Sequence, residues 1–207
     1  MSQTSFKKIA EDKIQPKDFS FDRDNMILAK KILKIYPKNY KESSIMPLLS
    51  IAQNQNNGWL PKKAIEYVSS FLEIPEIKVL EIATFYSMYN LAPVGKYFVQ
   101  VCTTSPCLIR GADKIVKICK EKISKEEKTL SENKLCSWVE VECLGACVNG
   151  PMIQVNDDYY EDLDEKSTDK IVSSLISDKP LKPKSFRGRT NTAPEKDRAI
   201  LNGEKNA

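Results

Sequence analysis

The segment Tyr97-Phe98-Val99-Gln100-Val101 leads directly into Cys102-Thr-Thr-Ser-Pro-Cys107, and the fold prediction begins from these residues. Its first five residues are rich in aromatic and β-branched side chains, which is typical of a strand. The two cysteines follow in C-x4-C spacing, on a segment whose Thr, Ser and Pro residues favour a turn. A helix is predicted from Gly111 to Ile123, because apolar residues recur there at helical spacing. Thiolates between a strand end and a helix start meet free backbone N–H groups, which stabilise negative charge.

A second cysteine pair, Cys143-Leu-Gly-Ala-Cys147, has C-x3-C spacing and follows a strand predicted at Trp138–Glu142. Gly145 and Gly150 are expected to supply the permissive backbone dihedral angles that this second loop needs. A further strand is predicted at Met152–Val155 and a helix at Ser167–Ile176. The resulting order of strand, helix, two strands and helix over residues 94–178 is compatible with a thioredoxin-like layer.

The segment 23–93 has helical rather than strand periodicity, and Pro and Gly residues mark the joints between its helices. Four short helices with brief connections predict a small helical bundle. The fold class is therefore mixed α+β and α/β, with an N-terminal small helical bundle followed by a thioredoxin-like domain. The helices are predicted at about 24–36, 43–55, 61–72 and 75–86.

Both ends of the chain are predicted to lie outside these domains. Residues 1–22 form an N-terminal extension, with no apolar region of the kind found in secretory signals. Residues 179–207 form a Pro- and Lys-rich tail with too few apolar side chains for a core, so we expect a flexible basic tail, extended or disordered.

Composition excludes several functional classes. The chain of 207 residues contains no histidine, which excludes Ser-His and Cys-His nucleophile pairs, His-ligated zinc and Rieske-type ligation. The net charge of +4 argues against nucleic acid as a partner. No apolar run approaches the roughly 20 residues of a membrane span, so direct membrane insertion is not expected.

Paired cysteines in glycine-bearing loops are unusual as simple packing residues. Cys102, Cys107, Cys143 and Cys147 can together hold either a 2Fe-2S cluster or a structural zinc ion. The absence of a C-x-x-C motif argues against a thiol oxidoreductase, and the absence of a dinucleotide fingerprint argues against NADH binding by this chain. The two remaining cysteines, Cys119 and Cys136, are interpreted as small buried hydrophobic residues outside the site.

Several ordered motifs around these cysteines closely resemble the small 2Fe-2S subunit of respiratory NADH dehydrogenase (complex I), a thioredoxin-like ferredoxin subunit next to the FMN flavoprotein subunit. The similarity extends over roughly residues 18–176. The motifs are Asn57-Gly-Trp-Leu-Pro61, Ala83-Thr-Phe-Tyr86, Val101-Cys-Thr-Thr104, Pro106-Cys107, Arg110-Gly111, Glu142-Cys-Leu-Gly-Ala-Cys147 and Asn156-Asp-Asp-Tyr-Tyr-Glu161.

The resemblance implies that Cys102, Cys107, Cys143 and Cys147 bind one 2Fe-2S cluster. It also implies that NADH and FMN bind to the partner flavoprotein subunit, with which the cluster exchanges single electrons, and that a neighbouring iron-sulfur subunit is a second partner. The expected location is the bacterial cytoplasm, peripheral to the inner membrane through the complex. The equivalent small subunit of a soluble NAD-linked hydrogenase or formate dehydrogenase remains an alternative, as does a zinc-stapled interaction module.

Overall fold

The computed structural model describes Lys7 and residues 9–193. Residues 1–6 and 8 of the predicted N-terminal extension, and residues 194–207 of the predicted tail, lie outside the described residues. The chain divides into two compact units, one from Met1 to Pro93 and one from Val94 to Ala207.

The first unit is helical. Its core is made of small and branched side chains that its helices bury at helical spacing, together with Tyr89 and Leu91 from the segment after the last of these helices. Asp22 caps the first helix, since its carboxylate accepts a hydrogen bond from the Asn25 amide at 2.8 Å. The helices are α1 (Arg23–Leu33), α2 (Ile45–Gln55), α3 (Lys62–Leu72) and α4 (Glu76–Phe85), with 3-10 turns at Asp12–Ile14 and Lys38–Ser44.

Phe21, which lies in the segment predicted as an extension, is buried in this core. Its ring contacts Tyr67 edge-to-face at a centroid distance of 5.1 Å and Phe71 at 6.0 Å. Such aromatic pairs add about 0.5–1.5 kcal/mol beyond the area they bury. The segment just before α1 is therefore part of the helical unit.

Among its described residues, the second unit contains a four-stranded mixed sheet and three α-helices. The elements are β1 (Tyr97–Cys102), α5 (Ser105–Ile109), α6 (Ala112–Lys122), β2 (Cys136–Val141), β3 (Ile153–Val155), β4 (Asp158–Tyr160) and α7 (Glu165–Ile176). The strand order in the sheet is β2-β1-β3-β4. Strand β1 pairs in parallel with β2 and antiparallel with β3, and β3 forms a hairpin with β4.

Helices α6 and α7 share one apolar core with the sheet. Trp138 of β2 lies at its centre, fully buried, and its indole N–H donates to the Ser124 carbonyl at 2.8 Å. Because α6 connects the parallel strands β1 and β2, the cysteine loop after β1 lies at the start of the crossover.

Two elements were not predicted from the sequence. Strand β4 is only three residues long, and its first two residues are exposed, so it lacks the apolar alternation that reveals a strand. Helix α5 occupies the segment where a turn was predicted, with Pro106 in its first turn. No helix among the described residues is long and apolar enough to cross a membrane.

Candidate metal centre

The sheet brings the two cysteine loops together. In the parallel pair of β1 and β2, Cys102 lies opposite Val141, the last residue of β2. Both strands therefore end at the same edge of the sheet. Strand β1 continues into the segment with Cys107, and β2 continues into the loop with Cys143 and Cys147.

The first pair of thiols is buried. Cys102 ends β1 and Cys107 lies inside α5, and each is about 1% exposed. The pKa of Cys107 is raised to about 12. Burial is the largest cause, and the neighbouring Cys102 thiol is the next. Burial also acts to raise the pKa of Cys102, but hydrogen bonds from the Thr104 hydroxyl and from the Thr104 and Leu144 amides hold it below its ordinary value. The Cys102 sulfur lies 3.3 Å from Thr104 Oγ1.

The second pair lies at the surface. The Sγ atoms of Cys143 and Cys147 are 3.2 Å apart, and the Gly145 amide donates to Cys143 Sγ at 3.4 Å. The pKa of the Cys143 thiol is lowered. The hydrogen bond from the Gly145 amide is the main cause, and the hydrogen bond with Cys147 is the second. The pKa of Cys147 is raised, chiefly by its hydrogen bond with Cys143.

The four predicted thiols form one electrostatic group. A thiolate at Cys102 acts to raise the pKa of each of the other three, Cys107, Cys143 and Cys147. The Leu144 amide, which belongs to the second loop, lowers the pKa of Cys102 in the first. The two loops therefore face each other across a short distance.

Apolar side chains surround the buried sulfurs. Met152 and Ala112 are fully buried beside Cys102 and Cys107, and the half-buried Leu144 and Ala146 pack against them from the second loop. An apolar surrounding limits water access to a bound metal, which is one of the factors that set its reduction potential.

Gly150 has a different role from the one predicted. Its φ of −71° is ordinary for any residue, so it is not needed for a permissive dihedral angle. A Cβ at this position would instead lie 3.0 Å from Cys107 Sγ and 3.4 Å from the Cys147 carbonyl oxygen. This close approach favours glycine, because a side chain would require Cys107 or the loop backbone to shift by a few tenths of an ångström. Gly145, by contrast, has a φ of +82°, as a permissive glycine should.

Side chains from outside the loops hold the second loop in place. The Tyr159 hydroxyl of β4 donates to the Leu144 carbonyl at 2.7 Å. Arg110, immediately after α5, donates through Nη1 to the carbonyls of Val148 and Gly150, each at 3.0 Å. Cysteine spacing did not point to these contacts, although Arg110 and Tyr159 both lie in the motifs that carry the family resemblance.

The donor set fits a 2Fe-2S cluster, which four cysteine thiolates can hold. Two thiol pairs on facing loops, with thiolate-stabilising amides, suit a cluster held by four cysteines.

The other two cysteines lie elsewhere. Cys119 of α6 and Cys136 of β2 are fully buried in the core between the sheet and helices α6 and α7. Burial raises the pKa of Cys119 to about 12 and that of Cys136 to about 11. Both behave as small core residues.

Comparison with known proteins gives a family match over most of the chain. A sequence model of the thioredoxin-like 2Fe-2S ferredoxin family matches residues 29–176. An NADH-quinone oxidoreductase subunit of Rickettsia typhi is 52% identical over 160 residues, which cover 77% of this chain and 94% of that protein. The mitochondrial NADH dehydrogenase (ubiquinone) flavoprotein 2 of Dictyostelium discoideum is 43% identical over 173 residues, 83% of this chain and 70% of that protein.

Among solved structures, an NAD+-reducing NiFe-hydrogenase in the air-oxidized state superposes with a TM-score of 0.56 and 16% identity. The superposition covers 64% of this chain and 23% of the hydrogenase chain. At this level of identity the likeness concerns the fold.

Proposed function

Because the chain belongs to the thioredoxin-like 2Fe-2S ferredoxin family, we propose that it is the small electron-transfer subunit of an NADH-quinone oxidoreductase. The observation that carries this function is the pairing of β1 with β2, which brings two cysteine pairs to one edge of the sheet. The Rickettsia relatives are named as NADH-quinone oxidoreductase subunits, and 94–96% of their length matches 77–78% of this chain, which supports the same assignment. The cofactor is one 2Fe-2S cluster.

We assign the four ligands to Cys102, Cys107, Cys143 and Cys147. A bound 2Fe-2S cluster accepts and donates one electron at a time. N–H and O–H donors favour the thiolate forms of two of the ligands, through the Gly145 amide at Cys143 and the Thr104 hydroxyl near Cys102. These donors also stabilise charge on the sulfurs, which tunes the reduction potential.

The site has one closed side and one open side. Cys102 and Cys107 lie beneath apolar side chains, whereas Cys143 is exposed and Cys147 is partly exposed. Leu108, Ile109 and Val148, each more than half exposed, are neighbours in sequence of Cys107 and Cys147. A partner protein can therefore approach the edge formed by Cys143 and Cys147, and this edge is where we place electron exchange.

The partners proposed for this edge are the FMN- and NADH-binding flavoprotein subunit and the neighbouring iron-sulfur subunit. The chain has no dinucleotide fingerprint of its own. We place the assembled complex on the cytoplasmic side of the bacterial inner membrane, with this subunit attached through its partners. A soluble NAD-linked hydrogenase remains the second candidate, because its chain shares the fold.

The first experiment measures the cofactor directly. Protein purified without oxygen is analysed for iron, acid-labile sulfide and zinc, and its EPR spectrum is recorded before and after reduction with dithionite. We expect two irons for each chain and a signal that appears only on reduction. A colourless protein with one zinc, unchanged by iron and sulfide reconstitution, would falsify the electron-transfer function.

A variant series then tests the ligands. Serine replaces each of the four proposed ligands in turn, and Cys119→Ala and Cys136→Ala serve as matched controls from the core. We expect every serine variant to lose iron or to change its EPR signal, whereas both controls keep two irons. A core variant that loses the cluster while a proposed ligand variant keeps it would contradict the assignment. Co-purification with the flavoprotein subunit or with hydrogenase subunits separates the two parent complexes.

A further inference from the structure

After α7 the chain returns to the candidate metal centre. The Glu161 amide donates to the Lys184 carbonyl at 3.1 Å, and the Phe186 amide donates to the Glu161 carbonyl at 2.9 Å. These bonds form a parallel bridge between Glu161 and Ser185, next to the end of β4. We call residues 184–191 the C-terminal strap.

The strap is fixed at a buried carboxylate. Asp162, whose side chain is 1% exposed, accepts from Ser185 Oγ at 2.6 Å and from Arg189 Nε at 2.9 Å. Arg189 Nη2 donates to the other carboxylate oxygen, so the guanidinium binds Asp162 through two nitrogens. Bidentate pairs of this kind fix direction as well as distance. The Arg189 side chain is itself only 11% exposed.

The same guanidinium reaches the second cysteine loop. Arg189 Nη2 also donates to the Val148 carbonyl at 3.0 Å. That carbonyl accepts a second bond, from Arg110 Nη1 at 3.0 Å. Two arginines, one just after the helix that contains Cys107 and one in the strap, thus converge on the residue that follows Cys147.

Asn149 adds a second connection between this loop and the strap. Its Nδ2 donates to Glu161 Oε2 at 2.8 Å and to the Asn191 carbonyl at 2.7 Å. The Asn149 carbonyl accepts from the Asp162 amide at 2.7 Å. Residues 148 and 149 are therefore held by the strap and by its anchor, Asp162.

We propose that the C-terminal strap is a clamp on the cluster-binding loop, with Arg189 as a positioning residue that orients Cys147 through the Val148 carbonyl. The proposal rests on the ligand assignment made above. Arg189 acts on the loop backbone. Its role depends on the planar guanidinium, whose nitrogens donate to the Asp162 carboxylate and to the Val148 carbonyl at the same time. A lysine offers a single charged nitrogen and cannot make both contacts in the same way.

The test compares iron retention in the complete chain carrying its cluster. Arg189→Gln and Arg189→Lys remove the fork, and Lys182→Gln is the matched control, because it removes the same charge from the tail just outside the strap. The rate of iron loss to a chelator is measured together with the EPR line shape. Changes to residues that orient metal ligands typically cost 10- to 100-fold in metal affinity. We expect both Arg189 variants to lose iron about 10-fold faster and to give broader EPR lines, with the control unchanged.

Ser185→Ala provides a milder second variant, in case the loss of Arg189 prevents folding. It removes one hydrogen bond to Asp162 and keeps the guanidinium, so an intermediate rate of iron loss is expected. The clamp proposal would be overturned if Arg189→Gln lost iron at the wild-type rate and kept the wild-type EPR line shape. It would also be overturned if Arg189→Lys behaved like the wild type in both measurements. Either result would leave the electron-transfer function intact. Absence of a 2Fe-2S signal in the unmodified protein would instead remove that function.

Discussion

Gly150 and Cys107 approach each other so closely that a Cβ on the glycine would lie 3.0 Å from the cysteine sulfur. The two residues belong to different loops, one after β1 and one after β2. Their contact brings the loops close together at the buried end of the site. A methyl group on Gly150 would require the sulfur or the loop backbone to shift by a few tenths of an ångström.

Gly150→Ala should therefore push the two loops apart. We expect the free energy of unfolding to fall by about 1–3 kcal/mol, as for other overpacked sites, and the iron content to fall with it. Gly145→Ala is the comparison variant, because φ is +82° there but no atom lies within 4 Å of the added Cβ. It should cost about 1–2 kcal/mol through backbone strain and retain more iron. Urea unfolding and iron analysis measure both. Wild-type iron content in Gly150→Ala would show that the contact is not restrictive.

Alkylation of the apoprotein should distinguish the cysteines by pKa and exposure. The thiolate is the reactive form, so a lowered pKa moves the rate profile to lower pH and a raised pKa moves it to higher pH. Cys143 is exposed with a lowered pKa, whereas Cys107 and Cys119 are buried with pKa values raised to about 12. We expect Cys143 to react first as pH rises and the other two only after unfolding or at strongly alkaline pH. Mass spectrometry of modified peptides gives the order. Equal rates at Cys143 and Cys119 would contradict the structure.

Trp138 should dominate the stability of the α/β unit. It is fully buried, opposite Val99 in the sheet, and its indole N–H has a partner in the Ser124 carbonyl. Trp138→Ala should lower the free energy of unfolding by about 3–5 kcal/mol, because it leaves a large cavity. Trp138→Phe keeps much of the volume but leaves the Ser124 carbonyl without its donor, so a smaller loss of about 1–3 kcal/mol is expected. Urea titration followed by circular dichroism measures both, and equal losses would show that volume is not the main factor.

Asp164 should stabilise α7 in a pH-dependent way. Its carboxylate accepts from the Ser167 amide at 2.7 Å, while the Ser167 hydroxyl accepts from the Asp164 amide at 2.9 Å. Asp164→Ala should cost about 1 kcal/mol at neutral pH. The Ser167 hydrogen bonds lower the pKa of Asp164 in the folded protein. The contribution is therefore complete above the unfolded value of about 3.9, and it is lost as pH falls through the lower folded pKa.

Asp169→Ala is the matched control on the same helix. Asp169 pairs with Lys122 at 2.6 Å in a partly exposed ion pair, which contributes about 0–1 kcal/mol. Thermal unfolding of wild type and both variants over a range of acidic pH tests the cap. A loss in Asp164→Ala that is no larger than in Asp169→Ala, or that persists at the lowest pH, would argue against it.

Periodicity predicted most of the secondary structure. The fold class, helices followed by a thioredoxin-like domain, is confirmed by the family match. Strands with a buried apolar face, such as β1 and β2, were found because both local propensity and burial favour them. Strand β4 escaped prediction because only Tyr160 of its three residues is buried. Its hairpin turn at Asn156, which has a φ of +53°, was the signal that could have revealed it.

Only the four cysteines of the candidate site could be predicted from the sequence. Cysteine spacing indicated four residues, but their supporting contacts come from distant parts of the chain. Arg110, Tyr159 and Arg189 contact the second loop through backbone carbonyls. A carbonyl accepts a hydrogen bond whatever its side chain, so the sequence of the loop does not show which residue donates to it. The loop pattern indicates Gly150 as well, but the reason for a glycine there depends on a neighbour that only the fold brings close.

The pairing of β1 with β2 also has a consequence for the energetics of the unfolded chain. A cluster held by both cysteine pairs would join two points separated by about 40 residues, so it would act as a cross-link in the way a disulfide does. By the loop-entropy relation, closing a loop of that size disfavours the unfolded chain by about 4 kcal/mol. The cofactor would then serve as an inorganic staple, tying the stability of this unit to its iron supply.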